Sequence, residues 1–216
     1  MRIALFGATG GTGRCVLRDG LARGHAFSCL VRRPEALAVA DFTAEPDRLR
    51  VVQGDTENRP AIAEALAGCE AVILTLGNAH RKPSTELSGG TANILEAMKS
   101  AGLRRLLVVT SLGCGDSVDQ VPGFVFRELI VKRLAREVWA DKTRQEAVVR
   151  ASGLDYTIVR PGGLRNEEGP VSWRALPASF ALDKSTRMIS RHSVAAALLD
   201  SLEQQTLVGE TVTLVA

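Results

Sequence analysis

Residues 3–14 read IALFGATGGTGR: a short apolar run, then glycines at positions 7, 10 and 13. The spacing Gly7-x-x-Gly10-x-x-Gly13, behind a strand-length run and ahead of a helical pattern, is the setting of a dinucleotide-binding loop. Glycines there permit a tight turn and let backbone N–H groups approach a pyrophosphate, while the start of the helix adds partial positive charge. Thr9, Gly11 and Thr12 lie in the same loop, so Gly7, Thr9, Gly10, Gly11, Thr12 and Gly13 are assigned to the cofactor. The loop leaves open whether the dinucleotide is held for chemistry or only bound.

Outward from that loop, apolar runs of strand length recur at 27–31, 49–52, 71–76, 105–110, 156–159 and 211–215, with helical patterns between them. Such alternation builds βαβ units, whose crossovers force a parallel sheet covered on both faces. The expected fold is α/β: a single Rossmann domain over residues 1–216, doubly wound, with a mostly parallel sheet of about seven strands. Gly24 and Gly102 stop the helices expected at 12–23 and 84–101. Residues 161–187 break the rhythm as a short irregular insertion on the substrate side, of a kind more often functional than idle. On a helical wheel over 124–152, Val131, Ala135, Val138 and Val149 fall within about 40° of Lys142. Lys142 thus stands in an apolar stripe, either with its stem buried and its ammonium in water or facing a ligand.

Composition narrows the class. The apolar share is 45% and the aromatic share only 4%, so aliphatic strands and alanine-rich helices supply the core, which suits a parallel α/β protein better than a β-sandwich. The net charge of +3 is spread among acids rather than gathered in a block; it points to no nucleic-acid partner and suits a site for phosphates. Cys15, Cys29, Cys69 and Cys114 form no Cys-x-x-Cys pair and no metal-ligand spacing, so no metal is expected and all four read as buried free thiols. The N-terminus lacks the pattern of a signal peptide, and no stretch approaches the roughly 18 apolar residues of a membrane span. These features fit a reduced, cytoplasmic protein, a monomer or weak homo-oligomer, with a small-molecule partner and no membrane contact.

The second strand bears on which dinucleotide. An NAD site ends this strand in an acid that grips the ribose 2′-hydroxyl, whereas here residues 27–31 run into Arg32-Arg33-Pro34. Two guanidinium groups suit a 2′-phosphate, so the expected cofactor is NADP(H), with Arg32 first and Arg33 assisting. Asp55, just past the third strand, is placed either to hydrogen-bond the adenine edge or to cap the following helix.

These residues resemble the atypical short-chain dehydrogenase/reductase family, in the branch that holds NmrA-like proteins and flavin/biliverdin reductases. The matching stretches are Phe6-Gly-Ala-Thr-Gly10 with Thr12-Gly13, Leu30-Val-Arg-Arg-Pro34, Val52-Gln-Gly-Asp55, Leu76-Gly77, Thr110-Ser111, Ser152-Gly-Leu-Asp-Tyr-Thr-Ile-Val-Arg-Pro161 and Ile189-Ser190-Arg191. The resemblance spans nearly the whole chain. It implies NADP-dependent hydride transfer to a flat conjugated acceptor, with Leu76, Gly77, Thr110 and Pro161 along the cofactor. Many relatives carry Tyr-x-x-x-Lys on the fifth helix, the Tyr donating a proton and the Lys holding the nicotinamide ribose. Here the stretch reads Val138-Trp-Ala-Asp-Lys142. Val138 cannot transfer a proton, which argues against carbonyl reduction. The flavin/biliverdin type tolerates this loss, because the acceptor delocalises charge and water can supply the proton; positioning then does most of the work.

Ser111, at the carboxyl edge of the sheet, leads the candidates for catalysis, and the resemblance implies that its hydroxyl contacts the acceptor or the nicotinamide carboxamide; the alternative is a strand-end serine bonded to local backbone. Lys142 is the second catalytic candidate and also a cofactor ligand. The loop Gly77-Asn-Ala-His-Arg-Lys-Pro-Ser84 sets His80, Arg81 and Lys82 beside the nicotinamide, where Arg81 attracts an anionic acceptor or the loop is simply basic surface. Leu112, Phe124 and Trp173 are platform candidates for the acceptor, each alternatively packing. The reading reached is an NADPH-dependent oxidoreductase acting on flavins (FMN or FAD as substrate), linear tetrapyrroles or quinones. Its rival is a non-catalytic NADP(H) sensor of the NmrA-like kind, and an epimerase is weaker without the tyrosine.

Overall fold

Ile3 and Leu5 pack into one apolar cluster and Ala4 and Phe6 into another, and all four are buried. A strand covered by helices on both faces requires this, and it explains why the run is apolar throughout rather than alternating. The computed structural model describes residues 1–37, 42, 45–77, 84–121, 136–166, 171–177 and 188–216. Within them the chain runs β1 (Arg2–Phe6), α1 (Gly11–Ala22), β2 (Ala26–Val31), β3 (Leu49–Gln53), α2 (Arg59–Leu66) and β4 (Ala71–Leu74). It continues through α3 (Glu86–Ser100), β5 (Arg105–Val109), α4 (Arg136–Arg150), β6 (Asp155–Pro161), β7 (Gly163–Arg165) and β8 (Arg174–Pro177). It closes with β9 (Met188–Ser190), α5 (Arg191–Glu203) and β10 (Glu210–Val215).

The main sheet has the order β3-β2-β1-β4-β5-β6-β10-β8. Every pairing is parallel except the last, where β8 runs antiparallel to β10. The expected α/β Rossmann architecture is therefore present, with eight strands in the sheet rather than about seven. The added strand, β8, lies in the stretch read as irregular, as does β7, which pairs with β9 in a separate two-stranded ribbon. Both are three or four residues long with no fully buried position, so they lack the apolar run that marks a strand in sequence.

Helices α1 and α5 cover one face, with Val16, Leu17, Val194 and Leu198 against Ile3, Leu5 and Ile73. Helices α2, α3 and α4 cover the other, with Ile62, Ile94 and Val149 among the residues packed with Phe6, Leu74 and Val108. The sheet order reverses between β1 and β4, and the carboxyl ends of these strands open the crevice where ligands of such sheets bind.

The stripe on α4 is where the wheel puts it, but its character differs. Its buried residues are Asp141, Gln145, Glu146 and Val149, three of them polar, with Lys142 and Val138 partly buried among them. A wheel counts apolar residues and misses polar ones whose partners come from elsewhere in the fold. Val131, Ala135 and the rest of 122–135 lie outside the described residues.

Candidate functional site

The three glycines of the opening motif do three different things. Gly7 turns the chain off β1 with φ at +96°, and a Cβ there would stand 2.7 Å from the Thr75 carbonyl oxygen. Thr75 in turn donates its hydroxyl to the Phe6 and Gly7 carbonyls, at 3.2 and 3.1 Å. At Gly13 a Cβ would lie 2.1 Å from the Gly7 carbonyl oxygen, so the helix sits against the loop only because that side chain is absent. Gly10 differs: the nearest neighbour of a Cβ there is the Gly7 oxygen at 3.4 Å, and its φ and ψ of −75° and 160° suit any residue. The fold does not need glycine at 10, whereas a phosphate approaching the backbone does. No side chain caps α1 and no acid stands in its first turn, so its free amides fit a pyrophosphate. Thr9, Gly10 and Gly11 are exposed, while Thr12 and Gly13 are buried in the helix.

Arg32 and Arg33 follow β2 and are both exposed. Arg14 joins them from α1, donating from Nε to the Thr9 carbonyl at 3.3 Å and from Nη2 to the Ala36 carbonyl at 2.5 Å, with its guanidinium 5.9 Å from the Phe42 ring centre. One end of the crevice is thus strongly basic. Asp55 accepts the Glu57 and Asn58 amides on Oδ1 at 2.9 and 3.0 Å, which shapes the turn into α2; the helix cap itself is Asn58, accepting the Ala61 amide.

The other end lies past β4, β5 and β6. Leu76 and Gly77 follow β4, which ends two residues earlier than its apolar run, with Thr75 beyond it bracing Gly7. Ser111 is partly exposed two residues beyond β5, and its hydroxyl meets only the neighbouring Leu112 carbonyl, at 3.2 Å, among the described residues. The Leu112 amide donates to the Pro161 carbonyl at 2.9 Å, fastening this loop to the end of β6. Trp139 of α4 donates its indole N–H to the Leu112 carbonyl at 2.9 Å, and a Cβ on Gly113 would collide with that indole nitrogen.

Helix α4 reaches the same loop through Thr143, whose hydroxyl accepts the Gly115 amide at 3.0 Å. Lys142 stands beside it. Burial pushes its ammonium below the ordinary lysine value, against the opposing pull of Cys114, Glu146 and Asp141. Burial pushes the Cys114 thiol up to about 12, reinforced by the Glu146 carboxylate and only partly offset by Lys142 and Arg160, so at neutral pH it is an inert thiol. Cys29 and Cys69 are buried as expected, but Cys15 is only partly so, lying 3.7 Å from His192 Nε2.

Beneath Lys142, one helical turn on, lies a charged group. Glu146 is fully buried and accepts the Arg160 guanidinium at 2.9 and 2.6 Å and the Thr110 hydroxyl at 2.7 Å. Arg160 also pairs with Asp116 at 2.6 Å and Arg150 with Glu146 at 3.3 Å. The Thr110 hydroxyl is thereby turned into α4 and its amide donates to the Val159 carbonyl at 2.9 Å, so only its carbonyl remains for a cofactor. Asp141, also fully buried, accepts the Leu87 and Ser88 amides at 3.0 and 3.3 Å and the Ser88 hydroxyl at 2.6 Å. It caps α3 across the helix pair, where the N-cap residue Thr85 supplies no side-chain bond.

The fold brings together the glycine loop, Leu76, Gly77, Ser111, Leu112, Lys142 and Pro161 along one sheet edge. Trp173 is elsewhere: its indole donates to Asp200 at 2.9 Å and its ring packs against the α1–α5 side of the core, so it flanks α5 rather than the strand ends. Arg81 and Phe124, with His80 and Lys82, lie outside the described residues. Sequence reading passed over Thr75, Arg14, Asp141 and the Glu146–Arg160 pair. The only trace of them is charge or a hydroxyl interrupting an apolar pattern. Among the described residues no cluster of three or more His, Cys, Asp or Glu could hold a metal, and no helix is long and apolar enough to cross a membrane.

A family model described as NAD(P)H-binding matches residues 7–205. A Bacillus subtilis protein described as the uncharacterized sugar epimerase YhfK is 30% identical over 212 residues, covering 95% of this chain and 89% of its own. ChuY of Escherichia coli O157:H7, described as an anaerobillin reductase, superposes with a TM-score of 0.80 at 25% identity, covering 100% of this chain and 97% of ChuY. A short-chain dehydrogenase/reductase of Veillonella parvula DSM 2008, solved in complex with NADP, superposes at 0.84 with 18% identity, covering 100% and 94%. That last likeness is one of fold.

Proposed function

Because the chain belongs to the NAD(P)H-binding family, we propose that it is an NADPH-dependent reductase of a conjugated planar acceptor: a flavin, a linear tetrapyrrole of the biliverdin kind or a quinone. The observation that carries the acceptor class is Val138, which sets an alkyl group one turn before Lys142 where proton donation to a carbonyl would need a hydroxyl. The description of ChuY as an anaerobillin reductase supports the same class. When bound, the cofactor supplies a hydride to the acceptor, and water completes the reduction with a proton. The protein's share is placement. The amides of Gly11, Thr12 and Gly13 hold the pyrophosphate, the Gly10 amide being given to the Gly7 carbonyl, while Arg32 and Arg33 take the 2′-phosphate, Lys142 holds the nicotinamide ribose, and Ser111 orients the carboxamide or the acceptor. Arg81 and Phe124 are assigned to the acceptor side; Leu112, buried against Val121 and Trp139, packs its own loop, and Trp173, tied to Asp200, supports α5 instead.

Following NADPH absorbance with FMN, a quinone and biliverdin at matched protein concentration tests the activity. Turnover of at least one is expected; tight NADPH binding with turnover of none would replace the reductase by an NADP(H) sensor. For cofactor choice, Arg32→Glu weakens NADPH at least roughly tenfold, about 1.4 kcal/mol, and leaves NADH nearly unchanged. Equal losses for both would remove Arg32 from the 2′-phosphate.

A pH dependence follows from Lys142. Its folded value is lowered, so as pH rises the ammonium is lost earlier than from a free lysine, and its hold on the ribose goes with it. NADPH affinity therefore declines at a pH below the ordinary lysine range. Lys142→Arg keeps the charge and moves that decline upward. An unchanged alkaline limb in titrations of the variant assigns the decline to another group.

A further inference from the structure

We infer that Arg191 is a second ligand of the cofactor pyrophosphate, reaching the glycine loop from α5 across the sheet's helical layer. The inference rests on the NADPH reading above. Arg191 is the first residue of α5, behind Ser190, whose hydroxyl caps the helix by accepting the Ser193 amide at 3.0 Å. Its side chain lies on Gly11: a Cβ at that glycine would stand 2.7 Å from Arg191 Nε and 2.8 Å from Cδ. Gly11 is the first residue of α1 and belongs to the uncapped, acid-free turn whose amides fit the pyrophosphate.

Gly11 has an ordinary φ, so backbone strain does not explain a glycine there; the Arg191 side chain lying against it does. Gly10 and Gly11 thus make room for different things, the first for a phosphate and the second for the arginine beside it. The one hydrogen bond of Arg191 among the described residues goes from Nη1 to the neutral Oδ1 of Asn166, at 2.5 Å, just past β7. That bond holds the guanidinium over the turn without neutralising it, leaving its remaining N–H groups and full charge for an anion. Two phosphates arriving at the amides of α1 meet that charge at the short range where guanidinium–phosphate pairs are strongest.

The test compares two ligands that share the 2′-phosphate but differ in the pyrophosphate: NADPH, and adenosine 2′-monophosphate read by competition. Arg191→Ala should raise the Kd for NADPH tenfold or more and leave that for adenosine 2′-monophosphate within twofold, while Arg191→Lys recovers most of the loss. Gly11→Ala, which keeps the arginine but displaces it, should weaken NADPH with the fold intact by circular dichroism. Arg32→Glu weakens both ligands and serves as the contrast. Wild-type NADPH affinity in Arg191→Ala, with Arg32→Glu still defective, overturns the role of Arg191 and leaves the NADPH reading standing. Equal losses of both ligands in Arg191→Ala also overturn it, as the mark of a structural role. A wild-type protein that binds no NADPH overturns the reading itself.

Discussion

Gly10→Ala should keep its stability and lose its cofactor, while Gly13→Ala loses stability as well. A methyl at 10 meets nothing nearer than the Gly7 oxygen at 3.4 Å, in backbone geometry open to alanine, so the cost is the loss of a favoured helix-capping residue, about 1 kcal/mol or less. For a chain of this size that is a fall in Tm of about 4 °C at most. The same methyl occupies the space of the approaching phosphate, and NADPH affinity should drop by about 100-fold or more, near 2.8 kcal/mol. At 13 the methyl stands 2.1 Å from a backbone oxygen, and backbone cannot swing aside as a side chain can. A loss of at least about 3 kcal/mol and a Tm lower by roughly 6–12 °C are expected. Thermal melts and NADPH titrations of the two variants check this; equal Tm losses would mean that the loop does not divide its glycines between fold and ligand.

The second large effect belongs to the charges under Lys142. Glu146→Leu leaves the Arg160 guanidinium, only 1% exposed, without its buried carboxylate. Removing one member of a buried pair costs about 3–5 kcal/mol, whereas removing both costs far less because no uncompensated charge remains. Glu146→Leu/Arg160→Met should therefore be more stable than either single variant, by about 2 kcal/mol or more in urea unfolding. Of their other partners, Asp116 and Arg150 reach water and tolerate the change, while the buried Thr110 hydroxyl loses its acceptor in both Glu146 variants alike. A double variant no better than Glu146→Leu would show that the pair's worth lies in packing.

Where sequence succeeded, it read local physics. The glycine spacing, the apolar runs and the stops at Gly24 and Gly102 depend on neighbours in the chain, and the sheet follows from them through crossover rules. The Arg32-Arg33 pair, exposed past β2, raises the expectation of a 2′-phosphate because an acid is missing at the end of that strand. The polar stripe of α4 was not legible, because Asp141, Gln145 and Glu146 find partners in Ser88, Thr91 and Arg160, residues 53, 54 and 14 positions away. Strand β8 owes its existence to the free edge of β10 rather than to its own four residues. Trp173 was drawn toward the acceptor by its place in an irregular stretch, and only the fold reveals that Asp200 takes its indole.

Thr75 gives the opening motif a limit on its portability. The turn at Gly7 is braced by a hydroxyl from the next strand over, across the point where the sheet changes direction, with the Thr75 amide also donating to Phe6. IALFGATGGTGR grafted onto another strand–helix junction would bring its glycines but not this brace. The glycine turn is a joint product of two chain segments nearly seventy residues apart, and it travels only when both are moved together.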